Sequence, residues 1–183
     1  ARNSYRLDKC LYEPLTVSIA SSFTLLSTYE TEIKAVNKAI EKTLKGIDPN
    51  AYQSLLSIPG IGPVMAAGIL SEIGHIDAFK NQKALAKYAG LVWRENQSGN
   101  FQADDTPLSK AGNAYLRYYL IEATSHVKNH CGEFAAFYQK KYDEVKIHQH
   151  KRALALTARK FVRLIFGLLA NHQLYSSDRV VQA

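Results

Sequence analysis

The run Pro59-Gly60-Ile61-Gly62-Pro63 defines a chemistry more directly than any other part of this chain. Pro59 lacks an N–H and cannot continue a helix. Gly60 and Gly62 accept the positive φ angles of a tight turn, and Pro63 suits the first position of a following helix. The backbone amides of Gly60, Ile61 and Gly62 would then lie beside a helix N-terminus, where a phosphate oxygen is favoured. A plain structural turn is the competing reading of the same residues. A second candidate lies near the other end of the chain. Arg152, Arg159 and Arg163 are spaced seven and four apart, which stacks them on one helical face. Each guanidinium offers a bidentate fork to phosphate, although a solvated face satisfies the spacing equally well.

Other reactive residue types carry less. His126 and His130 stand one helical turn apart with Cys131 beside them, but no further ligands at a telling distance complete a metal site. Asp104 and Asp105 are adjacent in a polar stretch and read as a turn-forming pair. No metal site is expected. Tyr115, Tyr118, Tyr119, Tyr138 and Tyr142 have the faces to stack on unpaired bases, and their helical spacing suits core or rim positions as well.

The elements that position these groups read as helices almost throughout. Leu26, Tyr29, Ile33, Val36 and Ile40 recur in steps of three and four, the heptad seam of a coiled coil within a long helix over residues 15–44. Gly46 and Asp48-Pro49-Asn50 break it, placing a boundary between a connecting helical region, 1–48, and a compact domain, 49–183. Residues 52–74 then read helix, two-glycine elbow, helix, a pattern that resembles the helix-hairpin-helix motif of many DNA-binding proteins. A short helix follows over residues 81–88, ended by Gly90. The polar stretch 92–109 reads as a loop or short hairpin, with Ser109 as a cap for the next helix, which Gly132 stops. Two more helices are expected around 133–145 and 150–170. The predicted fold is therefore all-α, a long coiled-coil helix followed by a compact helical domain that contains the elbow.

The 183 residues suffice for a sizeable core, and 46% hydrophobic content is ordinary for a globular protein. No apolar run approaches a membrane span and no secretory signal is seen. Cys10 and Cys131 are far apart and form no CxxC, so a reducing cytoplasm is the expected compartment. A chain that starts at Ala1 without Met reads as a fragment or a processed product. The formal charge of +7 is uneven, because residues 140–183 carry nine Lys and Arg against three Asp and Glu. Such a basic third suits a polyanion.

The ordered segments SIPGIGPVMAAGILSEIG, FKNQKALAKYAGL, WRENQSGN and LSKAGNAYLRYYLIEA together resemble the C-terminal domain of insertion-sequence transposases related to the Piv DNA invertase. The resemblance runs from about Tyr52 to about Leu169. It implies a bacterial or archaeal recombinase in which a serine-bearing domain is paired with a RuvC-like domain carrying four acidic residues. The serine of the Ser-Gly step, here Ser98 before Gly99, would be the nucleophile toward a DNA phosphodiester. Arg94, Ser109, Lys110, Asn113 and Arg117 would surround the same backbone, with Arg117 alternatively buttressing the Ser98 loop. Mg²⁺ is implied for the full-length enzyme through acids absent from this chain, which itself needs no cofactor and would be inactive alone. DNA is the implied partner, a structured bridge RNA an optional second one, and a homo-oligomer through the coiled coil the expected assembly. One departure stands out, since Asp104 and Asp105 occupy a stretch where relatives often carry Arg and Gly. Two further readings are a non-catalytic nucleic-acid-binding module and a helical oligomerisation domain.

Overall fold

A computed structural model describes residues 9–93, 97–98, 101–102 and 107–176, with backbone alone for 9–12 and for the two short pairs. The chain divides into two compact units, Ala1–Lys42 and Thr43–Ala183.

The first unit holds most of α1 (Lys9–Ile47), a 39-residue helix with Pro14 inside it, whose residues from Thr43 on belong to the second unit. It begins earlier than the apolar spacing suggests. Along its seam Leu26, Tyr29, Ile33 and Val36 are 55–61% exposed. A helix of this length with a bare apolar stripe is short of a partner surface rather than short of stability along its axis.

The second unit starts with α2 (Pro49–Leu56), whose first turn is fixed by Pro49 and by the Asp48 carboxylate accepting the Ala51 N–H at 2.8 Å. A turn over 57–62 leads into α3 (Pro63–Ile73), and a 3-10 turn (Ile76–Ala78) leads to α4 (Gln82–Tyr88). Asn81 caps α4 by accepting the Ala84 N–H at 3.0 Å. Two short strands, β1 (Gln97–Ser98) and β2 (Phe101–Gln102), pair antiparallel, and helices α5 (Ala114–His130), α6 (Gly132–Asp143) and α7 (Gln149–Ala170) complete the domain. The expected all-α fold is what the structure shows, the two-residue strands apart.

Burial explains the arrangement. Helix α7 packs against α2, α4, α5 and α6, and Phe161, Ile165 and Leu169 on it are essentially inaccessible. Leu116 and Leu120 of α5 and Tyr52 and Leu55 of α2 join the same core. Helices α3 and α5 run antiparallel in close contact. Gly60 meets the backbone of His126, Gly68 lies against the ring of Tyr119, and Asn113 Nδ2 donates to Glu72 Oε2 at 2.7 Å. At Gly68 a Cβ would overlap the Tyr119 ring, which is why a helix interior keeps a residue with poor helix propensity. Among the described residues no helix is long and apolar enough to cross a membrane.

Candidate nucleic-acid interface

The three elbow residues have different jobs. Ile61 is buried and its N–H donates to the Ile58 carbonyl at 3.1 Å, so that amide closes the turn and is not offered to a ligand. Gly60 has φ +91°, and a Cβ there would stand 3.0 Å from the His126 carbonyl group. Its missing side chain therefore serves packing on α5. Gly62 differs. It is the extended N-cap of α3, makes no side-chain cap, and has open space around the place of a Cβ. Pro63 behind it has no N–H to satisfy, so the positive end of α3 remains open at Gly62.

The segment carrying Ser98 is a hairpin with a tightly built root. Gln97 pairs with Gln102 and Ser98 with Phe101. Ser98 is the last residue of β1. Arg94 and Gly99 lie outside the described residues, as do Asp104 and Asp105, and the Ser98 side chain is not described. Toward the root, Trp93 bridges Leu108. The Ser109 N–H donates to Val92 O at 2.7 Å, Lys110 N–H to Gly90 O at 3.2 Å, and Asn113 N–H to Tyr88 O at 2.7 Å. The end of α4 and the start of α5 are so tied by a ladder of backbone bonds.

The Ser-Lys-Ala-Gly-Asn signature is this crossing. Gly112 has φ +127°, and a Cβ there would overlap the Tyr88 carbonyl oxygen. Gly90, at φ +68°, leaves room for Arg117, whose Nη1 would stand 2.6 Å from a Cβ there. The same Nη1 donates to Ala89 O at 3.1 Å and Lys110 O at 3.0 Å. Arg117 thus bonds the backbone on both sides of the hairpin through Nη1. Asn113, and not Ser109, caps α5. Its Oδ1 accepts the Leu116 N–H at 2.9 Å while its Nδ2 donates to Glu72 and to the Tyr88 hydroxyl. Ser109 lies too far before the first turn, since α5 begins at Ala114, and among the described residues its hydroxyl accepts from Ala111 N–H at 3.4 Å. Lys110 sits at φ +52°, is exposed, and makes no ion pair among the described residues.

The arginine stripe is broken by intramolecular bonds. Arg152 is paired with Glu144 through both terminal nitrogens at 3.2 Å and also donates to Lys141 O. The Lys141 hydrogen bond, with help from Arg152, lowers the Glu144 pKa. Arg159 donates to Gln82 O at 3.3 Å, tying α7 to α4, and burial lowers its pKa. Arg163 alone of the three is exposed, Arg152 and Arg159 being half-buried. It borders a cavity of about 320 Å³ lined also by Glu133, Lys160 and Tyr175, where Lys160 is ion-paired with Glu133. Burial, aided by the Cys131 thiol 3.1 Å away, pushes the Tyr175 phenol up to about 12.

Among the described residues no three His, Cys, Asp or Glu side chains converge to hold a metal. His130 Nδ1 bonds instead to the His126 carbonyl at 3.0 Å. Of the tyrosines, Tyr115 and Tyr118 are 71% and 56% exposed, while Tyr119 fills the space over Gly68. Glu72 and Tyr88, which anchor Asn113, escaped the sequence because 41 and 25 residues separate them from it.

Residues 52–139 match the family described as Transposase IS116/IS110/IS902. Over 93% of its length the chain is 30% identical to a transposase for insertion sequence element IS1111A of Coxiella burnetii, covering 43% of that protein. It is 26% identical, over 87% of its length and 38% of the relative, to an uncharacterized 43.6 kDa protein of insertion element IS110 from Streptomyces coelicolor. A 44.8 kDa protein of insertion element IS116 from Streptomyces clavuligerus is 25% identical over 82% of the chain and 37% of its own length. The chain thus spans less than half the length of these curated relatives.

Proposed function

We propose, from the match of residues 52–139 to the Transposase IS116/IS110/IS902 family, that this chain is the DNA-engaging, serine-bearing part of an insertion-sequence transposase. The observation that supports the reading is the placement of Ser98 as the last residue of β1, on a root locked by backbone bonds. In the reaction we envisage, the Ser98 hydroxyl loses its proton as Oγ bonds to phosphorus. The bond from phosphorus to the leaving deoxyribose oxygen breaks, and that oxygen takes up a proton. The product is a phosphoserine link that a second DNA end can resolve.

Positive groups must balance the charge that develops on the phosphate. Lys110, on the returning side of the hairpin, is exposed and makes no ion pair among the described residues, and Arg94 is the other candidate. The open end of α3 at Gly62, read as a helix-hairpin-helix elbow, and Arg163 would grip the backbone farther away. Mg²⁺, where bound, would activate the attack. No described group of this chain forms its site, so its carboxylates would come from the part of the relatives that this chain does not span. A bridge RNA is a further proposed partner. The bare seam of α1 proposes a second copy of the chain, which synapsis of two DNA ends requires.

The test has two parts. Binding of this chain to duplex DNA, followed by fluorescence anisotropy, should weaken steeply with salt; affinity that ignores salt would leave only an oligomerisation role. In a full-length protein that contains this chain, Ser98→Ala should abolish the covalent protein–DNA adduct trapped with a nicked substrate while DNA binding persists. An adduct that survives Ser98→Ala removes Ser98 from the chemistry.

A further inference from the structure

We propose that Arg117 is a positioning residue for Ser98, one that aims the hairpin by clamping its root and does not touch DNA. This rests on the reading of Ser98 as nucleophile given above. The clamp has three parts. Arg117 Nη1 donates to Ala89 O, just before the hairpin, and to Lys110 O, just after it. Gly90 lacks the Cβ that would displace that nitrogen, and Gly112 lacks the one that would push the returning strand off Tyr88. Asn113 fixes the following helix by bonding Glu72 on α3 and Tyr88 on α4 at once. A single guanidinium thereby couples the hairpin's two feet to α5, which is anchored in the core through Leu116 and Leu120.

A lever calculation shows why this matters. From Leu91 to Ser98 the chain can extend at most about 23 Å at roughly 3.3 Å per residue. A swing of about 10° at the root would then carry the tip through about 4 Å, against the ~0.5 Å tolerance of a catalytic group. Two strand pairs near the apex cannot restrain such a swing, because an isolated short hairpin is marginal in water. The restraint has to sit at the root, and Arg117 is the side chain there that spans both feet. Arginine suits the task because the planar guanidinium holds Nη1, which donates both bonds, in a fixed orientation, whereas a lysine ammonium rotates on a flexible stem.

Three measurements on Arg117→Ala and Arg117→Lys test the proposal. The single tryptophan, Trp93, sits in the root opposite Leu108. Its nanosecond anisotropy should fall in Arg117→Ala, and amide exchange at Lys110 should quicken at least tenfold, with Arg117→Lys between that variant and the parent. In the full-length recombinase, adduct formation at saturating DNA should drop at least tenfold with half-saturation unchanged. Unaltered Trp93 motion and Lys110 exchange would overturn the proposal. So would a loss confined to DNA affinity, which would make Arg117 a phosphate contact. If Arg117→Ala does not fold, Arg117→Lys carries the same three readouts. Failure of the Ser98 reading would show separately, as an adduct that persists in Ser98→Ala.

Discussion

Replacing Gly112 by alanine should destabilise the second unit far more than the same change at Gly62, although both glycines occupy sequence motifs that suggest open backbone for DNA. At Gly112 the backbone has φ +127°, and a Cβ would overlap the Tyr88 carbonyl oxygen. Holding alanine in a glycine-only conformation costs about 1–3 kcal/mol. Relieving the overlap means moving the Asn113 N–H off Tyr88 O, a 2.7 Å bond worth about 1 kcal/mol net. Together these give about 3 kcal/mol. At about 3 °C per kcal/mol for a domain of this size, the melting temperature should fall by about 10 °C. Gly62 has φ −97° and nothing within 4 Å of a Cβ, so Gly62→Ala should change stability by less than about 1 kcal/mol. Thermal unfolding followed by Trp93 fluorescence reads the second unit directly. A Gly112→Ala melting temperature within about 2 °C of the parent would refute the steric account of the signature, as would an equal loss in Gly62→Ala.

The remaining expectations concern packing, charge, pH and assembly. Leu120→Ala removes a side chain with no accessible surface and should cost about 3 kcal/mol in urea unfolding. Arg163→Ala should reduce the slope of log affinity against log salt by about one unit in DNA titrations, while Arg152→Ala, whose guanidinium is held by Glu144, should leave that slope unchanged. Glu144 has its pKa lowered in the folded state, so its contribution is present above the ordinary carboxylate range and is lost as pH falls through that range. Glu144→Gln should therefore flatten the acid limb of the melting-temperature profile and leave the alkaline limb unchanged. Leu26→Asp with Ile33→Asp places charge on the bare seam of α1 and should convert a dimer to a monomer in sedimentation equilibrium, leaving the second unit's melting temperature unaltered.

The helices were legible because their signals are local. Asp48-Pro49 and Asn81 mark starts through caps and fixed φ, and Gly90 marks a stop through a positive φ, so α2 and α4 fall where those residues put them. Ser109 misled because a capping residue type does not say where the helix begins. Helix α5 starts at Ala114, and Asn113, directly before it, does the capping. The arginine stripe hid its partners because they are not local. Spacing of seven and four does set Arg152, Arg159 and Arg163 on one side of α7, but the partners lie eight residues away at Glu144 and 77 residues away at Gln82. No periodicity within a helix can announce a carbonyl brought there by tertiary packing.

That distinction narrows which groups can meet DNA. Arg117 bonds both carbonyls through Nη1 alone, so its Nη2 and Nε hydrogens lie outside the clamp. Lys110 is placed differently. Its backbone is bonded on both sides, at the N–H to Gly90 and at the carbonyl to Arg117, while its ammonium makes no ion pair among the described residues. The clamp therefore fixes where Lys110 projects from without occupying the charge it carries. One signature thus divides the labour between neighbours: Gly112, Asn113 and Arg117 hold the root, and Lys110, on the proposed reading, would attract the strand toward the hairpin.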